Sequence, residues 1–193
     1  MSDNLIITIG RECGSGGRHI GQALAEKLGV KCYDKELLNL AAKESGLCKE
    51  LFETHDEKPS SSFLYSLVMD TYSFGYSSGS YTDMPLNHKV FLAQFDAIKK
   101  IAKAGPCVLV GRCADYILRD REDCLKVFLY ADEETKENRI QEIYGEAGLK
   151  LKNRVKDMDV RRGLNYKYFT GQDWGKAQNY DLALNRGSLG IEK

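Results

Sequence analysis

Residues 5–19 constrain this chain most. The β-branched run 5–9 (LIITI) ends at Gly10, and residues 10–19 (GRECGSGGRH) lead into Ile20, Leu24 and Leu28 at helical spacing. This predicts a strand, a glycine-rich loop and a helix. Glycines permit the tight turn, and loop N–H groups can converge at the helix N-terminus, where the macrodipole favours an anion. An ordinary strand-to-helix turn is the alternative, but Gly14, Gly16 and Gly17 around Ser15 exceed what such a turn requires. The loop has no G-x-G-x-x-G opening and Asp34 ends only a very short second strand, which disfavours dinucleotide binding.

The alternation continues along the chain. Gly29 closes the first helix, residues 30–33 (VKCY) predict a short strand, and residues 35–44 (KELLNLAAKE) predict another helix. Phe91, Phe95, Ile98 and Ala102 share one helical face, Gly105-Pro106 punctuates, and residues 107–110 (CVLV) form an apolar strand. Residues 125–130 (LKVFLY) are strand-like, Asp132 can cap a helix running to about Ile143, and residues 180–185 predict a last strand. The expected fold is α/β: three layers, a mostly parallel sheet flanked by helices, in a single domain over residues 1–193.

Charge and cysteine usage narrow the partners. With 28 Lys+Arg against 28 Asp+Glu, the chain lacks the global attraction on which a general nucleic-acid or anionic-membrane binder relies, so neither is expected. Small anions remain. The longest apolar runs suit strands, not membrane spans, and the N-terminus shows no basic region followed by a long apolar one, so a cytoplasmic protein is expected. Cysteines at 13, 32, 48, 107, 113 and 124 form no CxxC pair and read as reduced thiols, with no zinc site.

Two stretches break the rhythm. Residues 58–85, rich in Ser, Tyr and Gly, read either as a surface loop or as an element that covers substrate. Residues 146–162 (EAGLKLKNRVKDMDVRR) read as a helical hairpin, either merely solvated or acting as a phosphate-clamping lid.

Aligned through residues 23–29 (ALAEKLG), the glycine loop resembles that of nucleoside monophosphate kinases, in which a Gly-x-Gly element precedes Lys, Gly and Thr. Gly17 then stands at the lysine position, Arg18 at the next glycine and His19 at the threonine. Arg18 is the candidate to supply the missing charge, since a guanidinium binds phosphate with a fork of donors. With residues 32–38 (CYDKELL), 110–117 (VGRCADYI), 168–175 (YFTGQDWG) and 179–182 (NYDL), the loop resembles the cytidylate kinase-like family over nearly the whole chain. That family carries GSGGR where cytidylate kinases carry a lysine-containing loop. The resemblance implies a P-loop NTPase core with a substrate-binding insertion at about 35–100 and a small lid at about 145–170. It also implies ATP as phosphoryl donor, Mg²⁺, and a nucleoside monophosphate acceptor, CMP first.

On this reading Gly14, Ser15, Gly16, Gly17, Arg18 and His19 bind the donor phosphates, and Arg18, Arg154, Arg161 and Arg162 neutralise charge on the transferring group. Asp34, Arg112 and Asp115 are the acceptor-side candidates. Asp34 holds a substrate group or metal, or else caps the next helix, and Arg112 meets an acceptor phosphate, or else pairs structurally with Asp115. Ser15 and Asp34 are the candidate Mg²⁺ ligands. Tyr166, Tyr168, Phe169 and Trp174 are core residues or a base-stacking patch. A kinase of another small acceptor, and a non-catalytic nucleotide-binding protein that has lost the lysine, are the alternatives.

Overall fold

The computed structural model describes residues 4–34, 86–145 and 148–189, together with Leu37, Asn39, Leu40 and Lys43. Most of the expected helix at 35–44, and the whole Ser/Tyr-rich segment 58–85, lie outside the described residues.

The glycine loop joins β1 (Ile6–Arg11) to α1 (Gly17–Leu28), which Gly29 ends in the left-handed conformation, φ 67°. Then follow β2 (Lys31–Tyr33), α2 (Leu86–Ala104), β3 (Cys107–Val110), α3 (Ala114–Ile117) and β4 (Cys124–Tyr130). The chain continues through α4 (Glu133–Tyr144), α5 (Leu149–Thr170), a 3₁₀ turn at Ala177–Asn179, β5 (Leu182–Asn185) and α6 (Arg186–Leu189). Asp132 caps α4 as its position predicts, accepting from the Thr135 amide at 2.8 Å.

The five strands lie in the order β2-β3-β1-β4-β5, and all the pairings are parallel. A parallel sheet must be covered on both faces, and the alternation of its central strands shows how. Ile7, Ile9, Val108 and Val110 meet Ala25, Ile20 and Leu24 of α1 on one face. Ile6, Cys107 and Leu109 meet Ala97, Ile98 and Ile101 of α2 and Ile117 of α3 on the other. This is the expected three-layer α/β architecture.

Residues 149–162 do not form a hairpin of their own. They belong to one 22-residue helix, α5, which packs on α4 through Ile140, Leu151 and Val155 and reaches the core through Tyr166 and Phe169. The Phe169 ring stacks on Phe91 of α2 with centroids 4.0 Å apart, and Trp174 meets Phe128 edge-on at 5.3 Å. Of the late aromatic patch, Tyr166 and Phe169 are buried in the core, and Tyr168 and Trp174 pack against it partly buried. No helix among the described residues is long and apolar enough to cross a membrane.

Candidate functional site

In a parallel α/β sheet, ligands bind beyond the carboxyl ends of the strands, where neighbouring connections diverge. Here that edge carries the loop after β1, Asp34 after β2, Gly111-Arg112 after β3 and Asp132 after β4. The connection from β1 leads to β2 on one side of it, whereas β4 pairs on its other side.

The loop is shaped by its glycines. Gly14 (φ 78°) and Gly16 (φ 83°) are left-handed, and a Cβ on Gly14 would lie 2.6 Å from the carbonyl oxygen of Lys136, so α4 rests directly on the loop. Ser15, fully buried, donates its hydroxyl to the Glu12 carbonyl at 2.9 Å. Gly16 at the N-cap has no side chain to cap α1, and the first turn holds no acid, so among the described residues the first-turn amides and positive dipole end of the helix face the sheet edge without a cap. Gly17 is buried beneath Arg11. A Cβ there would sit 2.5 Å from Arg11 Cβ and 2.8 Å from its Cγ, and the Arg11 guanidinium continues onto Gly111. A lysine at position 17 has no room for its first carbon.

The acceptor-side candidates fall into two groups. Arg112 Nη1 lies 3.1 Å from Asp34 Oδ1, with both side chains buried, and the exposed Arg18 approaches Asp34 Oδ2 with Nε at 3.2 Å. Gly111, Arg112 and Cys113 all have positive φ, at 77°, 55° and 56°. Two non-glycine residues in that region cost on the order of 1–2 kcal/mol each, and the turn aims Arg112 at Asp34. Asp34 is thus a carboxylate partner of Arg112, where the sequence offers Asp115 as the structural alternative. Asp115 instead accepts a hydrogen bond from the Tyr166 hydroxyl at 2.6 Å. Burial raises the pKa of Asp115 against the lowering effect of that bond, and burial together with Asp115 raises the pKa of Tyr166.

Of the α5 arginines, Arg162 reaches the loop and donates from Nη1 to the Arg11 carbonyl at 3.3 Å. Arg154 lies over the Tyr144 ring, 4.7 Å from its centroid, and Arg161 is exposed. His19 is exposed on the first turn of α1.

A second group escaped sequence reasoning. Asp159 of α5 accepts the Cys13 amide at 2.6 Å, and Lys136 Nζ donates to Asp159 Oδ2 at 3.1 Å and to Glu12 Oε2 at 3.2 Å. Burial alone would lower the Lys136 pKa, but its hydrogen bonds and charge contacts with Asp159 and Glu12 raise it on balance. These residues tie α4 and α5 to the loop, and no local spacing signals contacts 23, 124 and 146 residues apart. Arg139 also approaches: a Cβ on Gly16 would meet its guanidinium carbon at 3.4 Å. Burial, and after it the charge of Arg186, lower the Arg139 pKa.

The candidate Mg²⁺ ligands do not form a metal site. Ser15 donates its hydroxyl inward to Glu12, and the Asp34 oxygens face Arg112 and Arg18. No group of three or more His, Cys, Asp or Glu residues suits a metal ion among the described residues.

Several solved structures share this architecture. An uncharacterized protein from Eubacterium ventriosum ATCC 27560 is 30% identical, with a TM-score of 0.73 over 98% of this chain and 92% of its own. Shikimate kinase from Bacteroides thetaiotaomicron matches with a TM-score of 0.53 at 14% identity, over 97% of this chain and 92% of its own. TT1252 from Thermus thermophilus matches with a TM-score of 0.50 at 16% identity, over 98% and 93%. The likeness to the last two is one of fold. No curated protein matches the chain in sequence. The pattern of the cytidylate kinase-like family, however, matches residues 6–188, taking in β1 to β5 and the whole glycine loop, and the chain belongs to that family.

Proposed function

We propose that this protein is a P-loop phosphotransferase that binds the phosphates of ATP over residues 14–19 and transfers the γ-phosphoryl group to a nucleoside monophosphate, with CMP the leading acceptor. The observation that carries this reading is the placement of the uncapped N-terminus of α1, with its left-handed Gly14 and Gly16, beside the Arg112–Asp34 pair at one sheet edge. One side suits a polyphosphate and the other a second anion.

The chemistry needs no protein nucleophile. An oxygen of the acceptor phosphate attacks the γ-phosphorus, the bond from that phosphorus to the bridging oxygen breaks, and ADP leaves with the electron pair. The protein's part is positioning and charge neutralisation. Gly14, Ser15, Gly16, Gly17 and His19 form the donor cradle and the first turn behind it. Arg112 and Asp34 orient the acceptor with Arg18, and Asp115, fixed by Tyr166, backs that pocket. Arg162 is the innermost lid cation, with Arg154 and Arg161 an outer pair that movement of α5 would bring to the phosphates. Magnesium enters as part of the Mg·ATP substrate, and no step is assigned to a resident ion.

The test is ADP formation from Mg·ATP against CMP, dCMP, UMP, AMP, GMP and shikimate, with each product identified by mass. Turnover that depends on CMP supports the reading in full. Turnover with another acceptor keeps the reaction and replaces the substrate. ATP binding by folded protein without turnover on any acceptor would move the assignment to a nucleotide-binding protein.

A further inference from the structure

We infer that Arg11 is the phosphate-binding cation of this loop and stands in for the absent lysine, an inference that rests on reading residues 14–19 as a triphosphate cradle. The lysine-containing loop has the pattern G-x-x-x-x-G-K, in which the first glycine lies six positions before the lysine. Here Arg11 stands at that first glycine and Gly17 at the lysine. The two residue types have exchanged roles.

The structure gives the exchange a physical basis. The Arg11 stem occupies the volume where a side chain at 17 would begin, so the bare Cα of Gly17 is what lets Arg11 cross the loop. The guanidinium then lies against Gly111, the residue before Arg112, in a narrow cleft also lined by Arg112, Arg162 and Asp115. The Arg11 side chain thus runs from Gly17 of the proposed donor cradle to Gly111, next to Arg112 of the proposed acceptor pocket. A guanidinium there offers a planar fork of donors. Of the other cations near the loop, Arg18 is 66% exposed and lies beside Asp34, Lys136 Nζ lies with Glu12 and Asp159, and Arg139 lies beside Gly16. Among these contacts, the stem of Arg11 is what fills the space a side chain at 17 would take. Arg162 adds a hydrogen bond from its Nη1 to the Arg11 carbonyl, which fixes the start of the crossing.

The experiment compares binding of ATP and of inorganic tripolyphosphate, by calorimetry at one fixed salt concentration, to four proteins of verified melting temperature. They are the wild type, Arg11→Met, Arg11→Gly, and the double variant Arg11→Gly/Gly17→Lys. Arg11→Met keeps a stem over Gly17 and removes only the charge, so a folding defect does not confuse it. Loss of charge-assisted hydrogen bonds is expected to weaken both ligands about tenfold or more in Arg11→Met and Arg11→Gly. The double variant, which restores a glycine at 11 and a lysine at 17, is expected to regain most of that loss. A merely structural Arg11 would not be rescued by a lysine six residues away. Wild-type affinity in Arg11→Met, or a double variant no tighter than Arg11→Gly, overturns the inference while leaving the triphosphate cradle intact. A wild type that binds neither ligand overturns the cradle and this inference with it.

Discussion

Asp34 is the meeting point of two arginines of different kinds: Arg112, buried and 3.1 Å away, and Arg18, 66% exposed and 3.2 Å away. Removing one partner of a buried pair leaves an uncompensated charge, whereas an exposed pair contributes little. Arg112→Ala is therefore expected to cost more folding stability than Arg18→Ala, though less than the loss of about 3–5 kcal/mol for a fully uncompensated buried charge, because Arg18 stays beside Asp34. Arg18→Ala is expected to cost at most about 1 kcal/mol. Chemical denaturation of both variants checks the contrast. Equal losses would remove the distinction between the two arginines.

Gly14 and Gly29 are both left-handed, at φ 78° and 67°, yet differ in surroundings. A Cβ at Gly29 meets nothing within 4 Å, while one at Gly14 meets the backbone of Lys136 at 2.6 Å. Gly29→Ala should cost about 1 kcal/mol, the strain of the backbone conformation alone. Gly14→Ala adds a clash with backbone that cannot rotate away, for a total of about 2–4 kcal/mol, and should also lower ATP affinity by moving the loop. Melting curves and ATP titration of the two variants test this. An Ala variant at 14 that matches Gly29→Ala in stability would show that α4 does not rest on the loop.

What was legible in the sequence was local. β3, the capping of α4 by Asp132 and the closure of α1 by Gly29 depend on residues a few positions apart, and each sits where its spacing predicts. α5 has no clear signature because apolar positions such as Leu151, Val155, Tyr166 and Phe169 are sparse among charged residues, so a helix that packs on α4 at one end and in the core at the other reads as a solvated hairpin. The Arg112–Asp34 and Asp159–Cys13 contacts join residues 78 and 146 apart and have no local signature. The missing lysine was visible in the sequence. That Arg11 fills its volume was not, because this depends on the path of a side chain across a folded loop.

His88 provides a pH test of the α2–α5 packing. It is 1% exposed, with Nε2 at 2.7 Å from the Tyr168 hydroxyl and its ring edge-on to Tyr168 and Phe169. Burial lowers its pKa from the usual 6.5, so the fold holds it neutral. Below 6.5 the unfolded chain takes up the proton first, so this contribution to stability is full above that value and is lost as pH falls toward the lowered pKa. The melting temperature should drop as pH falls below 6.5, with a shallower drop in His88→Gln. An unchanged slope in that variant would contradict the assignment.

Cys107 and Cys124 test the core beneath the sheet edge. Burial, the largest cause, pushes both thiols up to about 11, and both are almost inaccessible. The native protein should leave them unlabelled by a thiolate-selective reagent at neutral pH, with labelling appearing in denaturant, as peptide mapping of the modified protein would show. Rapid native labelling at either position would contradict the packing of β3 and β4.

The central claim, that a loop without its lysine still directs a phosphoryl group from ATP to a small acceptor, is tested most directly by following the γ-phosphorus itself. The purified chain is incubated with γ-labelled Mg·ATP and CMP, and the label is partitioned between CDP and inorganic phosphate. The account predicts label in CDP, one for one with ADP formed, and almost none in phosphate, because transfer requires the acceptor to be positioned by Arg112 and water to be excluded. Label appearing only as inorganic phosphate, or no release of label from protein that binds ATP, would contradict it.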